Sequence, residues 1–111
     1  MPSASKRKGA SWERDIVEYL RSRGYMEAER TRAGWQDDRG DIAGVPFTVE
    51  AKNAKQWDFP RWIEETVAET FNNGTRHGVL VVKRPRIATP AEAYAVQRFE
   101  NWLDLFEDTR R

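Results

Sequence analysis

Between Gly40 and Lys52 the chain reads Gly-Asp-Ile-Ala-Gly-Val-Pro-Phe-Thr-Val-Glu-Ala-Lys. In an extended strand residues two apart point to the same face, so Glu50 and Lys52 project side by side. Gly44 to Pro46 is a turn signal. A hairpin centred on Val45 and Pro46 pairs 43 with 48 and sets Asp41 opposite Glu50. Two carboxylates and a lysine then converge on one patch. Carboxylates gathered without a surplus of cations repel each other, and a hard divalent ion such as Mg²⁺ is the usual remedy. The chemistry open to such a patch is phosphodiester hydrolysis, which needs a positioned water, neutralised non-bridging oxygens and a stabilised leaving oxygen; one or two metal ions can supply all three. In this arrangement Asp41 and Glu50 hold the ion with help from the Ala51 carbonyl. Lys52 orients or deprotonates the attacking water, which requires a lowered pKa, or else it stabilises transition-state charge. The plain alternative for Glu50 and Lys52 is a salt bridge on an exposed sheet face.

These residues need elements to position them. Residues 1–8 read as a flexible basic arm. A helix is expected from about Gly9 to Arg23, stopped by Gly24, with Ile16, Val17 and Leu20 on its apolar face. Stepping back along that stripe lands on Glu13, a carboxylate where periodicity places core. Buried acids are costly unless paired or bound to a metal, so Glu13 can complete the ligand set, directly or through water. The alternative is a first-turn acid, partly solvated, favouring the positive helix end. Tyr25 to Arg32 reads as a half-buried strand with Met26 and Ala28 on one face, and Ala33 to Arg39 as a polar loop carrying Trp35. The hairpin follows, with Phe47 and Val49 opposite Thr48, Glu50 and Lys52.

Pro60 suits the first turn of a second helix, whose apolar stripe is Trp62, Ile63, Thr66, Val67, Thr70 and Phe71, ended by Asn72-Asn73-Gly74. Glu64, Glu65 and Glu69 fall on its other face, read as solvated or turned toward a basic partner. Val79 to Val82 is a continuous apolar run, as expected of a central strand buried on both faces. Residues 92–97 read as a short edge strand and Phe99 to Phe106 as a helix. The order is helix, three strands, helix, strand, then a C-terminal strand and helix. That is an α/β domain, a small mixed sheet flanked by helices, over residues 9–111.

Composition limits the chemistry. The 111 residues contain no cysteine and one histidine, His77, which excludes disulfides, thiolate zinc sites and multi-histidine centres. No apolar run approaches membrane-spanning length, and the first residues lack a signal-peptide core, so no membrane association and a cytoplasmic location are expected. The net charge is only +1, but Lys6, Arg7 and Lys8 form one basic cluster and Lys83, Arg84 and Arg86 another, either phosphate footprints or solvated segments.

Lys8-Gly9-Ala10-Ser11-Trp12-Glu13-Arg14, Gly24-Tyr25, Gly40-Asp41-Ile42 and Glu50-Ala51-Lys52 resemble, in order and spacing, the PD-(D/E)XK nuclease superfamily, and within it the Holliday junction resolvases of the archaeal and phage type. The resemblance covers most of residues 6–83. Gly40 stands where the superfamily name has proline. The resemblance implies a restriction-endonuclease-like αβββαβ core and a Mg²⁺-dependent endonuclease, with Mn²⁺ able to substitute and no small-molecule cofactor. It further implies a homodimer that cuts four-way DNA junctions symmetrically, with Glu13, Asp41, Glu50 and Lys52 in the catalytic and metal-binding roles.

Lys6, Arg7, Lys8, Arg30, Arg32 and Lys55 are candidate phosphate contacts. Trp35 and Trp57 can stack on unpaired bases or cap the core. Trp12, Trp62 and Trp102 are read as packing residues and His77 as structural. Two rivals are a repair or restriction-type nuclease acting on flapped, nicked or linear DNA, and a non-catalytic DNA-binding accessory protein whose acids form a salt-bridge network.

Overall fold

Ser3 begins the first helix: its hydroxyl accepts a hydrogen bond from the Lys6 N–H at 3.2 Å, capping α1 (Ala4–Ser22). The computed structural model describes residues 3–32 and 38–110, so Met1, Pro2, Trp35 and most of the loop expected over 33–39 lie outside the described residues. The arm expected over 1–8 is corrected from Ala4 onward, because the cap at Ser3 lets the helix start five residues before Gly9. Lys6, Arg7 and Lys8 therefore occupy its first two turns. Trp12, Ile16 and Val17 are its buried face.

Two short strands follow. The strand expected over 25–32 shrinks to β1 (Glu29–Arg30), which pairs antiparallel with β2 (Ile42–Ala43). Met26 is 69% exposed, whereas Ala28 is fully buried, so the expected alternation holds at one position of that face and fails at the other. The hairpin pairing of 43 with 48 is also corrected. Gly44 at φ 79° and Pro46, which lacks an N–H, carry residues 44–47 around a wide bend, and Ala43 pairs with Glu29 instead.

β3 (Thr48–Lys52) runs parallel to β4 (Gly78–Val82), and β5 (Tyr94–Val96) lies antiparallel on the far side of β4. This three-stranded mixed sheet has β3 at one edge and β4 at its centre. The crossover between β3 and β4 is α2 (Phe59–Asn73), with Asp58 as N-cap, Pro60 in its first turn and Gly74 in the left-handed conformation as C-cap. A 3₁₀ turn over Pro90–Glu92 precedes β5, and α3 (Phe99–Thr109) ends the described chain.

The sheet separates two apolar clusters. On the α1 side Trp12, Ile16, Val17, Ala28, Ile42 and Val49 pack with Phe47, Val79 and Val81; on the α2 side Trp62, Leu80 and Val82 pack with Ile63 and Val96. The central strand is thus covered on both faces, as its unbroken apolar run requires. Trp12 also donates its indole N–H to the Val81 carbonyl at 3.4 Å. Trp12 and Trp62 are core residues, but Trp102 is 47% exposed and stacks between Phe99 and Phe106 on the outer face of α3. His77 is bonded to Asp108 of α3, a structural role. Among the described residues no helix is long and apolar enough to cross a membrane.

Candidate metal centre

An edge strand leaves half of its backbone polar groups without a ladder partner. In β3 the groups of Thr48 and Lys52 engage the β4 side, through Thr48 N–H to His77 C=O at 2.9 Å and Lys83 N–H to Lys52 C=O at 3.0 Å. By strand alternation the backbone groups of residues 49 and 51 face the open edge. Asp41 fills that edge twice: its N–H donates to the Val49 carbonyl at 2.7 Å, and its Oδ2 accepts the Ala51 N–H at 2.7 Å. The Ala51 carbonyl faces the same edge. Asp41 therefore meets Glu50 and Ala51 as expected, through an edge contact and not through the expected 43:48 ladder.

Gly40 explains how the chain arrives there. Its φ is +90°, and a Cβ at this position would lie 2.8 Å from the Val49 carbonyl oxygen. Proline, locked near φ −65°, cannot adopt this conformation. The residue before the acid is glycine because the backbone approaches β3 too closely for anything larger.

Glu50 is 6% exposed and lies on the α2 face of the sheet, with its carboxyl in hydrogen-bonding reach of Asp41. Burial pushes Asp41 up to about 8; the Glu50 carboxyl adds to the rise, and the Ala51 N–H and Lys52 oppose it. Burial likewise lifts Glu50 to about 8, with Asp41 lowering it and Glu69 raising it further. Two desolvated carboxyls in contact hold protons near neutrality unless a cation replaces them.

Lys52 sits 4.0 Å from Glu50 and 3.1 Å from Glu65, and it lies over the Trp62 ring. Burial works against its charge, but Glu50, Glu65 and Asp41 outweigh burial and raise its pKa above the ordinary lysine value. In the metal-free chain these acids favour the charged form of Lys52.

Glu13 approaches from α1, on the other face of the sheet. It is mid-helix and partly buried, and it accepts a 2.9 Å hydrogen bond from Arg30. The first-turn alternative for Glu13 is corrected, since the helix begins at Ala4. Burial raises its pKa, Arg30 opposes the rise, and Asp41 is near enough to add to it. Glu13 feels the Asp41 charge from the α1 side with Arg30 attached, but its carboxylate does not join Asp41 and Glu50 in one group of ligand atoms within 4.8 Å. Arg30, expected on phosphate, is engaged with Glu13. Arg32 and Lys55 are exposed, Arg32 near Glu29 at 3.8 Å. Trp57, 39% exposed, stacks on Phe59 and meets Tyr94 edge-on. Arg84 of the second basic cluster is held by Glu92 at 3.6 Å and by the Tyr94 ring.

Two acids complete the neighbourhood from α2. Glu69 is 2% exposed, and burial lifts its pKa to about 7, opposed by Glu50 and reinforced by Asp38 and Asp41. Glu65 is the partner of Lys52. Both were expected on a polar face. The buried positions of α2 are Trp62, Thr66 and Glu69, spaced four and three apart, while Phe71 is 86% exposed. Of the expected stripe, Trp62 and Thr66 are buried and Ile63, Val67 and Thr70 half-buried; only Phe71 falls outside it, and Glu69 joins it in place of a polar-face position. The signal was available: Glu69 lies seven residues after Trp62, on the same helix face.

No family model matches the chain, and no curated protein and no solved structure matches it either.

Proposed function

We propose that the protein is a divalent-metal-dependent endonuclease acting on branched DNA, built on the restriction-endonuclease-like core that its motifs resemble and of the Holliday junction resolvase kind. The observation that supports this reading is the meeting of the Asp41 and Glu50 carboxyls with the Ala51 carbonyl at one open strand edge, beside Lys52. These donors are all hard oxygens, the set that suits Mg²⁺ or Mn²⁺, and the crowding of desolvated acids gives a cation something to neutralise. When bound, the ion would draw charge from the phosphate and activate water.

The chain's own residues do the rest. The Ala51 N–H fixes the orientation of the Asp41 carboxylate. Lys52, held as a cation by Glu50 and Glu65, stabilises charge developing on the phosphate. Glu13, reaching from α1, completes the acid set, directly or through water. Lys6, Arg7 and Lys8 are exposed on the turns that precede Glu13 on one helix. Lys6 lies two turns before Glu13 on the same stripe, about 10 Å along the axis, within reach of a backbone whose scissile phosphate lies at Asp41.

The homodimer has a surface to use. Phe99, Trp102 and Phe106 form an exposed stacked row on α3, and Tyr25, Phe47, Val79, Ala95, Trp102 and Leu105 line an adjoining apolar groove. Glu100, Asp104 and Glu107 on the same helix oppose DNA there, so a second copy of the chain is the proposed occupant.

The test presents a four-way junction, a flap, linear duplex and single strands side by side, with Mg²⁺ and then with Ca²⁺. Paired symmetric cuts in the junction with Mg²⁺ are expected. Nicking of linear duplex at an equal rate would replace the junction with a broader substrate, and no cleavage of any form would overturn the enzyme reading.

A further inference from the structure

Glu69 presents a carboxylate in a place that ordinary packing does not explain. The residue is 2% exposed, and its Oε2 is buried and receives no hydrogen bond. Among the described residues no cation pairs with it. A buried carboxylate in this state is costly unless it is paired or bound to a metal. A neutral isostere or an apolar side chain would serve packing better at this position. Something that attracts negative charge accounts for the glutamate.

The neighbours identify that attraction. One carboxylate oxygen from each of Glu50, Glu65 and Glu69 lies within 4.8 Å of the others. The nearest fixed cation is Lys52, which is 3.1 Å from Glu65 and 4.0 Å from Glu50. One lysine thus serves three acids, and its ammonium leans toward the outer two. Glu65 and Glu69 are one helical turn apart on α2, and Glu50 faces them from β3, so the three project into one volume between helix and sheet. All of the ligand atoms are carboxylate oxygens, which selects a hard divalent ion.

We infer that Glu50, Glu65 and Glu69 form a second divalent-cation position on the α2 side of β3, sharing Glu50 with the position made by Asp41 and the Ala51 carbonyl. The buried, unpartnered Glu69 oxygen is its innermost ligand. Glu50 becomes the bridge between an edge position and an inner one. Lys52 borders both and moves toward Glu65 or away from it as the inner position fills. This inference deepens the metal-centre reading above and rests on it only through the shared Glu50.

The test counts Mn²⁺ bound by the full chain without DNA, by titration with electron paramagnetic resonance readout of free Mn²⁺ and by calorimetry. The wild-type chain is expected to bind two ions. Glu69→Gln should keep one and weaken the other roughly 10-fold or more, since losing even an outer partner costs a metal site 10–100-fold. Asp41→Asn should spare the ion that Glu69→Gln loses. A wild-type chain that binds a single ion, or a folded Glu69→Gln that binds Mn²⁺ as the wild type does, overturns the inference. Should Glu69→Gln fail to fold, Glu65→Gln decides by the same criterion, because the Glu65 side chain is 39% exposed. Failure of the nuclease reading is separate: two bound ions with no DNA cleavage would sink that reading and leave this one standing.

Discussion

The Asp41 carboxylate accepts the Ala51 backbone N–H at 2.7 Å, taking the place that another strand would occupy at the open edge of β3. One side chain thereby ends the sheet and lies beside both the Glu50 carboxyl and the Ala51 backbone. Structural closure and candidate chemistry depend on one residue.

The arrangement sets a pH dependence for the metal-free protein. Asp41 and Glu50 rise to about 8 and Glu69 to about 7 in the folded chain, each through burial first, whereas unfolded carboxyls titrate near 4. Between those values the folded state holds more protons than the unfolded state, so unfolding free energy falls as pH rises. The loss begins above about pH 4 and is complete above about pH 8. Thermal melts in chelator should show the protein less stable at pH 8 than at pH 5, and the double variant Asp41→Asn with Glu50→Gln should flatten that slope. Mn²⁺ should restore stability at pH 8.

Lys52 is assigned as a fixed cation. Lys52→Ala should reduce cleavage by roughly 10²–10³-fold, the usual effect of removing one charge-stabilising donor, while leaving Mn²⁺ binding in place. The wild-type pH–rate profile should show no limb that disappears in this variant. A limb near neutrality lost specifically with Lys52 would make the lysine a base.

Gly40 permits the close approach of the Asp41 backbone to β3. Gly40→Ala should destabilise the fold by about 1–2 kcal/mol from the left-handed backbone alone, with more from the contact with the Val49 carbonyl. Denaturant melts measure this effect. Cleavage should fall further than stability, since Asp41 moves with its neighbour.

Trp102 stands at the centre of the exposed row on α3. Trp102→Glu should leave the melting temperature nearly unchanged and convert the dimer to monomer in sedimentation. An unaltered dimer would place the interface elsewhere.

Much of this framework was legible in the chain. The element order, the α2 boundaries at Pro60 and Gly74, and the buried strand at Val79 to Val82 follow from local chemistry that tertiary packing did not override. Glu50 and Lys52 lie side by side because strand alternation suffices to place them, whereas Asp41 reaches them through the open edge of β3 and not through the expected hairpin ladder. What stayed hidden depends on contacts distant in sequence. β1 is only Glu29–Arg30, since its partner Ile42–Ala43 is equally short. The pairing of Glu13 with Arg30 crosses from α1 to β1. Glu69 shares the helix face of Trp62 and Thr66, but a carboxylate there reads as solvated until the β3 acids packed against it are known.

Hydrolysis of DNA at the Asp41 edge through a bound divalent ion is tested by separating binding from cutting in one variant. Asp41→Asn keeps a carbonyl oxygen to accept the Ala51 N–H, so the edge of β3 stays closed. With a four-way junction and Mg²⁺, the variant should bind as the wild type does in a gel-shift assay and give no detectable cleavage. Cleavage by Asp41→Asn at the wild-type rate would show that the Asp41 carboxylate takes no part in hydrolysis.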